Sequence, residues 1–397
     1  MKITVAVLFG GKSVEHEISV ISAVQAMGYL DAEKYELVPV YITKSGKMYT
    51  GEKLTKIENF KNIKSLLADC RQVVLTNLDG RCVLLPYPMK LDYKKHIKAI
   101  DVAMPIVHGT NVEDGALQGF LKTLDVPYTG CDVLSSAVGM DKHVMKLVFQ
   151  DAGIPVLPCK CLMKRDYYAD ENAMVAAIEA EFAYPVIVKP VNLGSSVGIS
   201  KAKNQEELVS ALDMAFRFAP KVLVERAITA LREINCSVLG DVYEAEASEC
   251  EEPLNATDIL SYEDKYMSGG KGSKGSGMAS LARKIPADIP AELREQIRTM
   301  AVRGFQALGC NGVSRIDFMI DTDEDRVYLN EINTIPGSLS FYLWKPVGVE
   351  YPQLLDRMIR LALKRSREEG EITYSFDSGV LENCSFGGSK GAKGSKI

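Results

Sequence analysis

Residues 315–333 read RIDFMIDTDEDRVYLNEIN, and the rest of the chain is arranged around them. Apolar and polar residues alternate on both sides of the acidic turn DTDED, 321–325, the pattern of two strands joined as a hairpin. Side chains on a strand alternate between faces. Arg315 and Asp317 therefore share one face of the first strand, and Glu331 and Asn333 share one face of the second. Pairing those faces gathers three oxygen donors and a guanidinium. Hard oxygen donors suit Mg2+, which keeps part of its water and takes further oxygens from nucleotide phosphates. An arginine beside them clamps a transferring phosphoryl group. One carboxylate alone would read as an ordinary surface hairpin, but three inward polar side chains do not, because unpaired buried charge is expensive.

The 397 residues exceed one ordinary domain, so two or three packed units are expected. Apolar residues make up 47% and charged residues 25%, a globular balance that argues against disorder. No apolar run reaches the ~20 residues that span a bilayer, and the opening MKITVAVLFGGKS is a strand running into a glycine turn, so no membrane association and a cytoplasmic location are expected. The net charge of -5 gives no general attraction to nucleic acid. Nine scattered cysteines read as reduced structural thiols, and four histidines are too few for a His-rich metal centre.

Ile3 to Leu8 is an apolar strand, followed by GGKSVEHEISVISAVQAMGYL (10–30), which turns at Gly10-Gly11 and enters a helix with Val20, Ala23, Val24 and Met27 on one face. A second apolar strand, YELVPVYI (35–42), completes a doubly wound opening whose ligands gather at the carboxyl ends of strands. Residues 44–98 read as peripheral decoration, with a hairpin around Asp79-Gly80. IDVAMPIVHG (100–109) is a strand ending at His108, where α/β sheets place chemistry, although a lone histidine is more often structural. SSAVGMDKHVMKLVFQDAGIPVLP (135–158) reads as one capped helix and a following strand, opening a new domain. YPVIVKPVNLGSSVGISKA (184–202) carries Lys189 on a strand ahead of a Gly-Ser turn whose N–H groups suit phosphate oxygens. Glu225 and Glu233 lie where carboxylates meet a nucleotide or form salt bridges. MSGGKGSKGSGMA (267–279) is too rich in Gly and Lys to fill a core. Helices at 291–309 and 353–370 flank the opening hairpin.

Nine fragments, GGKSVEHEIS, HGTNVEDGALQG, MDK, VKPVNLGSSVG, VER, REI, YEDKY, SRIDF and NEINTIPG, occur in the order found in the D-alanine–D-alanine ligases of the ATP-grasp superfamily. Over roughly residues 2–365 the chain resembles that family. The resemblance implies an α/β fold, α+β in its ATP-grasp part. An N-terminal doubly wound α/β substrate-binding domain would span 1–131, a central ATP-grasp lid domain 132–228, a C-terminal ATP-grasp domain with the Mg2+ site 229–370, and a flexible tail 371–397.

It further implies ATP and Mg2+ as cofactors, with two ions expected and Mn2+ as a substitute, and small-molecule D-amino acids as partners. A homodimer is the assembly it allows. Lys142 and Lys189 match phosphate-binding lysines, joined in the nucleotide site by Ser195, Ser196 and Lys265, while Glu225 and Glu233 match adenine and ribose contacts. Asp317, Glu331 and Asn333 match the metal ligands, and Arg315 the arginine near the phosphoryl group. Glu15 matches the acid that receives the first substrate's ammonium, and Glu15, Ser195 and Tyr266 a hydrogen-bonded set linking helix, lid and loop. His108 fits an active-site histidine, Gly337 contributes backbone N–H to the oxyanion, and Ser340, Tyr342 and Leu343 fall on substrate-contact positions. The implied reaction transfers the γ-phosphoryl of ATP to one D-alanine, and the amine of a second displaces phosphate.

The chain departs from the family at three places. After Pro336-Gly337 the family commonly reads Met-Thr-Ser-His-Ser-Leu, whereas this chain has Ser338-Leu339-Ser340-Phe341-Tyr342-Leu343, so Tyr342 replaces the serine that holds the second carboxylate. The glycine pair after His-Gly is Thr110-Asn111-Val112 here, and REI stands one residue further from Glu225. Alternatives are a ligase joining D-alanine to another amino or hydroxy acid, and a non-catalytic nucleotide-binding relative. The KGSKGS stretch from Lys271 recurs as KGAKGS from Lys390, either as two flexible basic segments or as lysines that reach the triphosphate.

Overall fold

The structure is a computed structural model and describes residues 2–194, 198–254 and 283–378. Its first sheet contains β1 (Ile3–Gly10), β2 (Tyr35–Ile42), β3 (Met48–Thr50), β4 (Arg71–Leu78), β5 (Arg81–Pro86), β6 (Lys98–Ala99) and β7 (Val102–Ile106). The spatial order is β6-β5-β4-β3-β2-β1-β7. β1 lies parallel between β2 and β7, which explains why Val5 to Phe9 are buried without alternation: both faces of a central parallel strand are covered. Residues 44–98, expected as decoration, instead extend this sheet through the antiparallel strands β3 to β6. The helix His16–Met27 covers one face with Val20, Ala23 and Met27.

The second sheet is antiparallel, ordered β10-β9-β11-β8, from β8 (Cys159–Met163), β9 (Val186–Pro190), β10 (Ser200–Ala202) and β11 (Lys221–Arg226). Val175 and Ile178 of one helix and Leu208 and Leu212 of another pack on its Val188, Val222 and Val224. The single helix expected ahead of it is two. Asp141 takes an extended ψ of 98°, ends the helix Val133–Met140 and caps the next, Lys142–Asp151, by accepting from the N–H groups of His143 and Val144. A carboxylate at an N-cap satisfies donors that a continuous helix would not leave open, and this offsets the break. The strand expected at 154–158 starts later, at Cys159.

The third sheet, ordered β14-β13-β12-β15-β16, comprises β12 (Leu231–Gly240), β13 (Ala245–Pro253), β14 (Arg283–Lys284), β15 (Gly312–Asp321) and β16 (Arg326–Asn333). One face packs Ile234, Cys236, Ile316, Phe318 and Leu329 against Ile297, Ala301 and Phe305 of the helix Ala291–Ala307. The closing helix Tyr351–Gly370 returns to the first sheet and buries Leu354, Leu355, Met358 and Ile359 in the same core as β1 and β7. No helix among the described residues is long and apolar enough to cross a membrane.

Candidate active site

The face of the third sheet opposite the helix Ala291–Ala307 is polar. β15 and β16 set Arg315 opposite Asn333 and Asp317 opposite Glu331, the arrangement expected from their spacing. The pairing continues across the sheet, with Asn235 of β12 opposite Asp317 and Glu251 of β13 opposite Asn235. Directly opposed residues share a face, so Glu251, Asn235, Asp317 and Glu331 form one row over four strands. A bulge follows Asp317, leaving Asn330 as the extra residue of β16, and Asn330 Oδ1 accepts from Lys189 at 3.4 Å. Bulges re-aim side chains in this way beside functional sites.

Asp317 and Glu331 each carry a cation. Arg315 donates to both oxygens of Asp317 at 2.6 and 2.7 Å, and Asn333 donates to Asp317 at 3.1 Å. Lys142 pairs with Glu331 at 3.1 Å and donates to the Leu193 carbonyl at 2.9 Å, joining hairpin to Gly-Ser turn. Burial pushes the Asp317 carboxyl above its ordinary range; Arg315 pulls it back, and Glu331 and Glu233 push it further. Two carboxylates and an amide oxygen under mutual repulsion form a donor set that fits Mg2+. Among the described residues no cluster of three His, Cys, Asp or Glu side chains offers a competing metal centre.

Behind this row, Glu225 is 3% exposed and bonds two ammoniums, Lys189 at 2.5 Å and Lys146 at 2.6 Å. Burial alone would raise its pKa, but the two lysines outweigh it and hold Glu225 down to about 2. Two cations around one anion leave a net positive charge at the floor of the site, suited to a phosphate-bearing ligand. Lys146, which also donates to the Leu157 carbonyl at 3.1 Å, was not legible in the sequence. Its only local signal is a polar residue on the buried stripe of Met145 and Phe149.

The N-terminal sheet contributes the opposite wall. Glu15 stands at the N-cap position of the helix His16–Met27, makes no side-chain capping bond there, and is 8% exposed. A side chain at Gly109 would meet Ser13 and Glu15, and one at Gly194 would come within 3.0 Å of Glu15 Oε2, so both loops approach this carboxylate as glycine. His108 is buried and bonds the Ile335 carbonyl at 2.9 Å and Ser22 Oγ at 3.0 Å. Burial lowers it to about 4, so the ring is neutral, with Nδ1–H donating to the carbonyl and Nε2 accepting from Ser22. Ser22 Oγ accepts the Ser338 N–H at 2.9 Å. Glu113, absent from the sequence reading, accepts the N–H of Gly109 at 2.9 Å and of Ile335 at 2.8 Å. Gly109 is four positions away, but Ile335 lies 222 positions along the chain, so no local pattern announces the bridge between the two loops.

Between these walls runs the loop after Asn333. Ser338, Leu339 and Ser340 have φ of 52°, 53° and 48°, three consecutive left-handed residues without a glycine. The Ser338 and Ser340 hydroxyls are buried without partners. Leu343 is fully buried, while Gly337 alone of residues 334–340 is only half-buried. Tyr342 turns toward Glu251, its hydroxyl 3.3 Å from Oε1. Glu233 stands on β12 on the same face as Asn235. Ser195, Ser196, Lys265 and Tyr266, the KGSKGS stretch and the tail from 379 lie outside the described residues.

The chain matches two family models, described as D-ala D-ala ligase N-terminus over residues 4–131 and D-ala D-ala ligase C-terminus over residues 148–360. It is 42% identical over 386 residues to a D-alanine–D-alanine ligase of Caldicellulosiruptor bescii, covering 94% of this chain and 99% of that protein. It is similar to the solved structure of the D-alanine-D-alanine ligase from Coxiella burnetii, with a TM-score of 0.76 and 31% identity over 93% of this chain and 96% of that one. It is also similar to the VanG D-Ala:D-Ser ligase from Enterococcus faecalis, with a TM-score of 0.75 and 33% identity over 91% of this chain and 100% of that one.

Proposed function

The chain belongs to the D-alanine–D-alanine ligase family, and from that premise we propose that it joins two D-alanine molecules with hydrolysis of ATP to ADP and phosphate, supplying the dipeptide for peptidoglycan. The observation that carries this reading is the cross-strand row, in which Asp317 and Glu331 are each held by a cation that transfer chemistry requires, Arg315 and Lys142. Three units share the work: 1–131 for the first substrate, 132–228 as lid, and 229–370 for the metal and the phosphoryl group. The location is the cytoplasm.

Glu15 receives the ammonium of the donor D-alanine. Lys142 and Lys189 neutralise the triphosphate, while Glu225 and Glu233 face the adenine and the ribose. Asp317, Glu331 and Asn333 would hold Mg2+, which when bound supplies charge neutralisation for phosphoryl transfer. The donor carboxylate attacks the γ-phosphorus in line, the bond to the β-phosphate oxygen breaks, and ADP leaves. The acceptor amine, as the free base, then adds to the acyl carbon. Arg315 and the Gly337 N–H stabilise the oxyanion, the C–O bond to phosphate breaks, the departing phosphate takes up the proton the amine gives up, and the peptide bond is complete. His108, neutral and engaged at both nitrogens, holds the loop rather than moving a proton.

The test is ADP release measured with paired D- and L-amino acids, with products identified by mass spectrometry. D-Ala-D-Ala formed in step with ADP is the expected outcome; nucleotide binding without any product overturns the reading.

A further inference from the structure

Where the chain leaves the first sheet, two buried thiols meet that the ligation chemistry does not use. Tyr128 forms a bridge with Ala103 of β7, and the Thr129 N–H donates to the Ala103 carbonyl at 2.9 Å, so the exit from the sheet falls at 130–132. Arg365 of the closing helix clamps this exit. It donates to the carbonyls of Gly130 at 2.8 Å and Tyr128 at 2.6 Å, and its guanidinium stands 4.4 Å from the centroid of the Tyr128 ring. A Cβ at Gly312 would lie 2.9 Å from Gly130 Cα, so the start of β15 presses directly on the exit. Cys131 is 1% exposed and Cys310, two residues before β15, is fully buried; both are free thiols in the core under the helix Ala291–Ala307. Cys131 Sγ lies 3.8 Å from the Asn311 carbonyl and 3.7 Å from Ser314 Oγ, and the Cys310 thiol hydrogen-bonds to it.

We propose that Cys131 and Cys310 are a peroxide-responsive pair, oxidised to a disulfide that ties the exit of the first sheet to the start of β15. Their contacts set which sulfur reacts first. The bond from the Cys310 thiol outweighs burial and, with the Asn311 backbone, Ser314 and Ser135, holds the Cys131 thiol below its ordinary range; the same bond and burial keep Cys310 protonated. The thiolate is the nucleophile. Cys131 attacks one oxygen of hydrogen peroxide, the O–O bond breaks, and Cys131 becomes a sulfenic acid while the hydroxide released takes up a proton as water. The Cys310 sulfur then attacks Cys131, the S–O bond breaks, the S–S bond forms, and the hydroxide leaves as water with the Cys310 proton. The sulfurs give up two electrons in all, and the peroxide accepts them. Thiols in hydrogen-bond contact reach the ~2.05 Å of an S–S bond by side-chain rotation. Peroxide, little larger than water, enters when the exit opens locally: Leu134, three residues on, is 72% exposed. The loop so closed runs from 131 to 310 and encloses residues 132–228, and its closure restrains the segment from which that unit hangs. A second pair supplies the contrast. Cys236 and Cys250 are directly opposed on β12 and β13 and fully buried, but the bond to Cys250 and burial hold the Cys236 thiol well above its ordinary range. Proximity without a thiolate leaves that pair reduced.

The full chain is treated with hydrogen peroxide, unfolded in N-ethylmaleimide, digested without reductant and mapped by mass spectrometry. The expected product is a linked peptide pair joining Cys131 to Cys310, two hydrogens lighter than the reduced peptides and lost on treatment with dithiothreitol, while Cys236 and Cys250 carry the maleimide. Bridging at 131–310 should outpace bridging at 236–250 by at least about tenfold, the gain from a larger thiolate fraction less the nucleophilicity that a lower pKa removes. In Cys310→Ala the sulfenic acid at Cys131 has no resolving thiol, and dimedone should trap it there. Maleimide on both Cys131 and Cys310, at a dose that has converted Met89, 61% exposed, to its sulfoxide, overturns the proposal. So does a bridge at 236–250 that forms as fast, a comparison made within the wild-type chain that needs no variant to fold.

Discussion

Two ionisable side chains clamp the Ile335 peptide, and burial displaces them in opposite directions. Glu113 is pushed up to about 8 from an ordinary 4.5, chiefly by burial, so between those values the folded chain keeps a proton that the unfolded chain has lost. Stability therefore falls as pH rises through that window. His108, lowered by burial to about 4 from 6.5, works the other way: the unfolded chain binds the extra proton, and stability is lost as pH falls from 6.5 toward 4. Glu113→Gln should flatten the decline of the melting temperature between pH 5 and 8; a slope equal to that of the wild type would count against this account. The doubly paired Glu225 gives a second prediction. Glu225→Gln leaves two buried ammoniums without their anion and should destabilise by about 3–5 kcal/mol, whereas Lys146→Met leaves Glu225 with Lys189 and should lose less. Denaturant titration gives both values, and the reverse order would refute the pairing. Glu331→Gln keeps volume and removes the charge of a proposed Mg2+ ligand, so ADP release should drop by about a hundredfold or more with the fold intact. Near-normal turnover at saturating Mg2+ would remove Glu331 from the metal site.

At the scale of the element, the break at Asp141 has a use. By ending one helix and capping the next, Asp141 places Lys142 at a helix start against Glu331, and it also holds Lys221 at 2.7 Å. Asp141→Ala should cost about 1–2 kcal/mol for the lost cap and weaken ATP binding by misplacing Lys142. Thermal melts and nucleotide titration check the two together, and an unchanged ATP affinity would detach the cap from the site. What the sequence disclosed follows the same scale. The β15–β16 hairpin was legible because both strands lie in one local stretch with a period of two. Glu251 was not, because it sits in the run EASECEEP, where choosing the inward glutamate requires the β12–β13 register with its shift near Ser237. Asp141 was hidden by helical periodicity on both sides of it. The left-handed run 338–340 was hidden because Ser-Leu-Ser contains none of the residues that normally announce positive φ.

Over the whole molecule, the first sheet and the last helix are one core despite their separation in sequence. Tyr351, Leu354, Leu355, Met358 and Ile359 complete the packing around β1 and β7, and Asp356 accepts from Tyr35 at 2.8 Å and Lys34 at 3.0 Å. Five large apolar side chains contribute on the order of 10 kcal/mol by burial, comparable with the whole stability of an ordinary domain. A fragment of residues 1–131 should therefore lack cooperative unfolding and bind a hydrophobic dye, and adding the peptide 350–370 should reverse both. A sharp melt of the fragment alone would show that the closing helix is dispensable. The first sheet thus reaches the active site by two routes, directly through Glu15, His108 and Glu113, and indirectly through the helix that follows the substrate loop.

The three left-handed residues at 338–340 also bear on how this chain can evolve. A non-glycine residue in that conformation costs roughly 1–2 kcal/mol, and glycine would remove the penalty at Ser338 or Ser340 at the price of a looser loop. A library selected only for heat resistance should accordingly enrich Ser340→Gly, raising the melting temperature while the second-substrate KM worsens. Selection for growth on a demanding cell wall should hold the serines in place. The loop would then be a position where thermal fitness and catalytic fitness pull apart within a single codon.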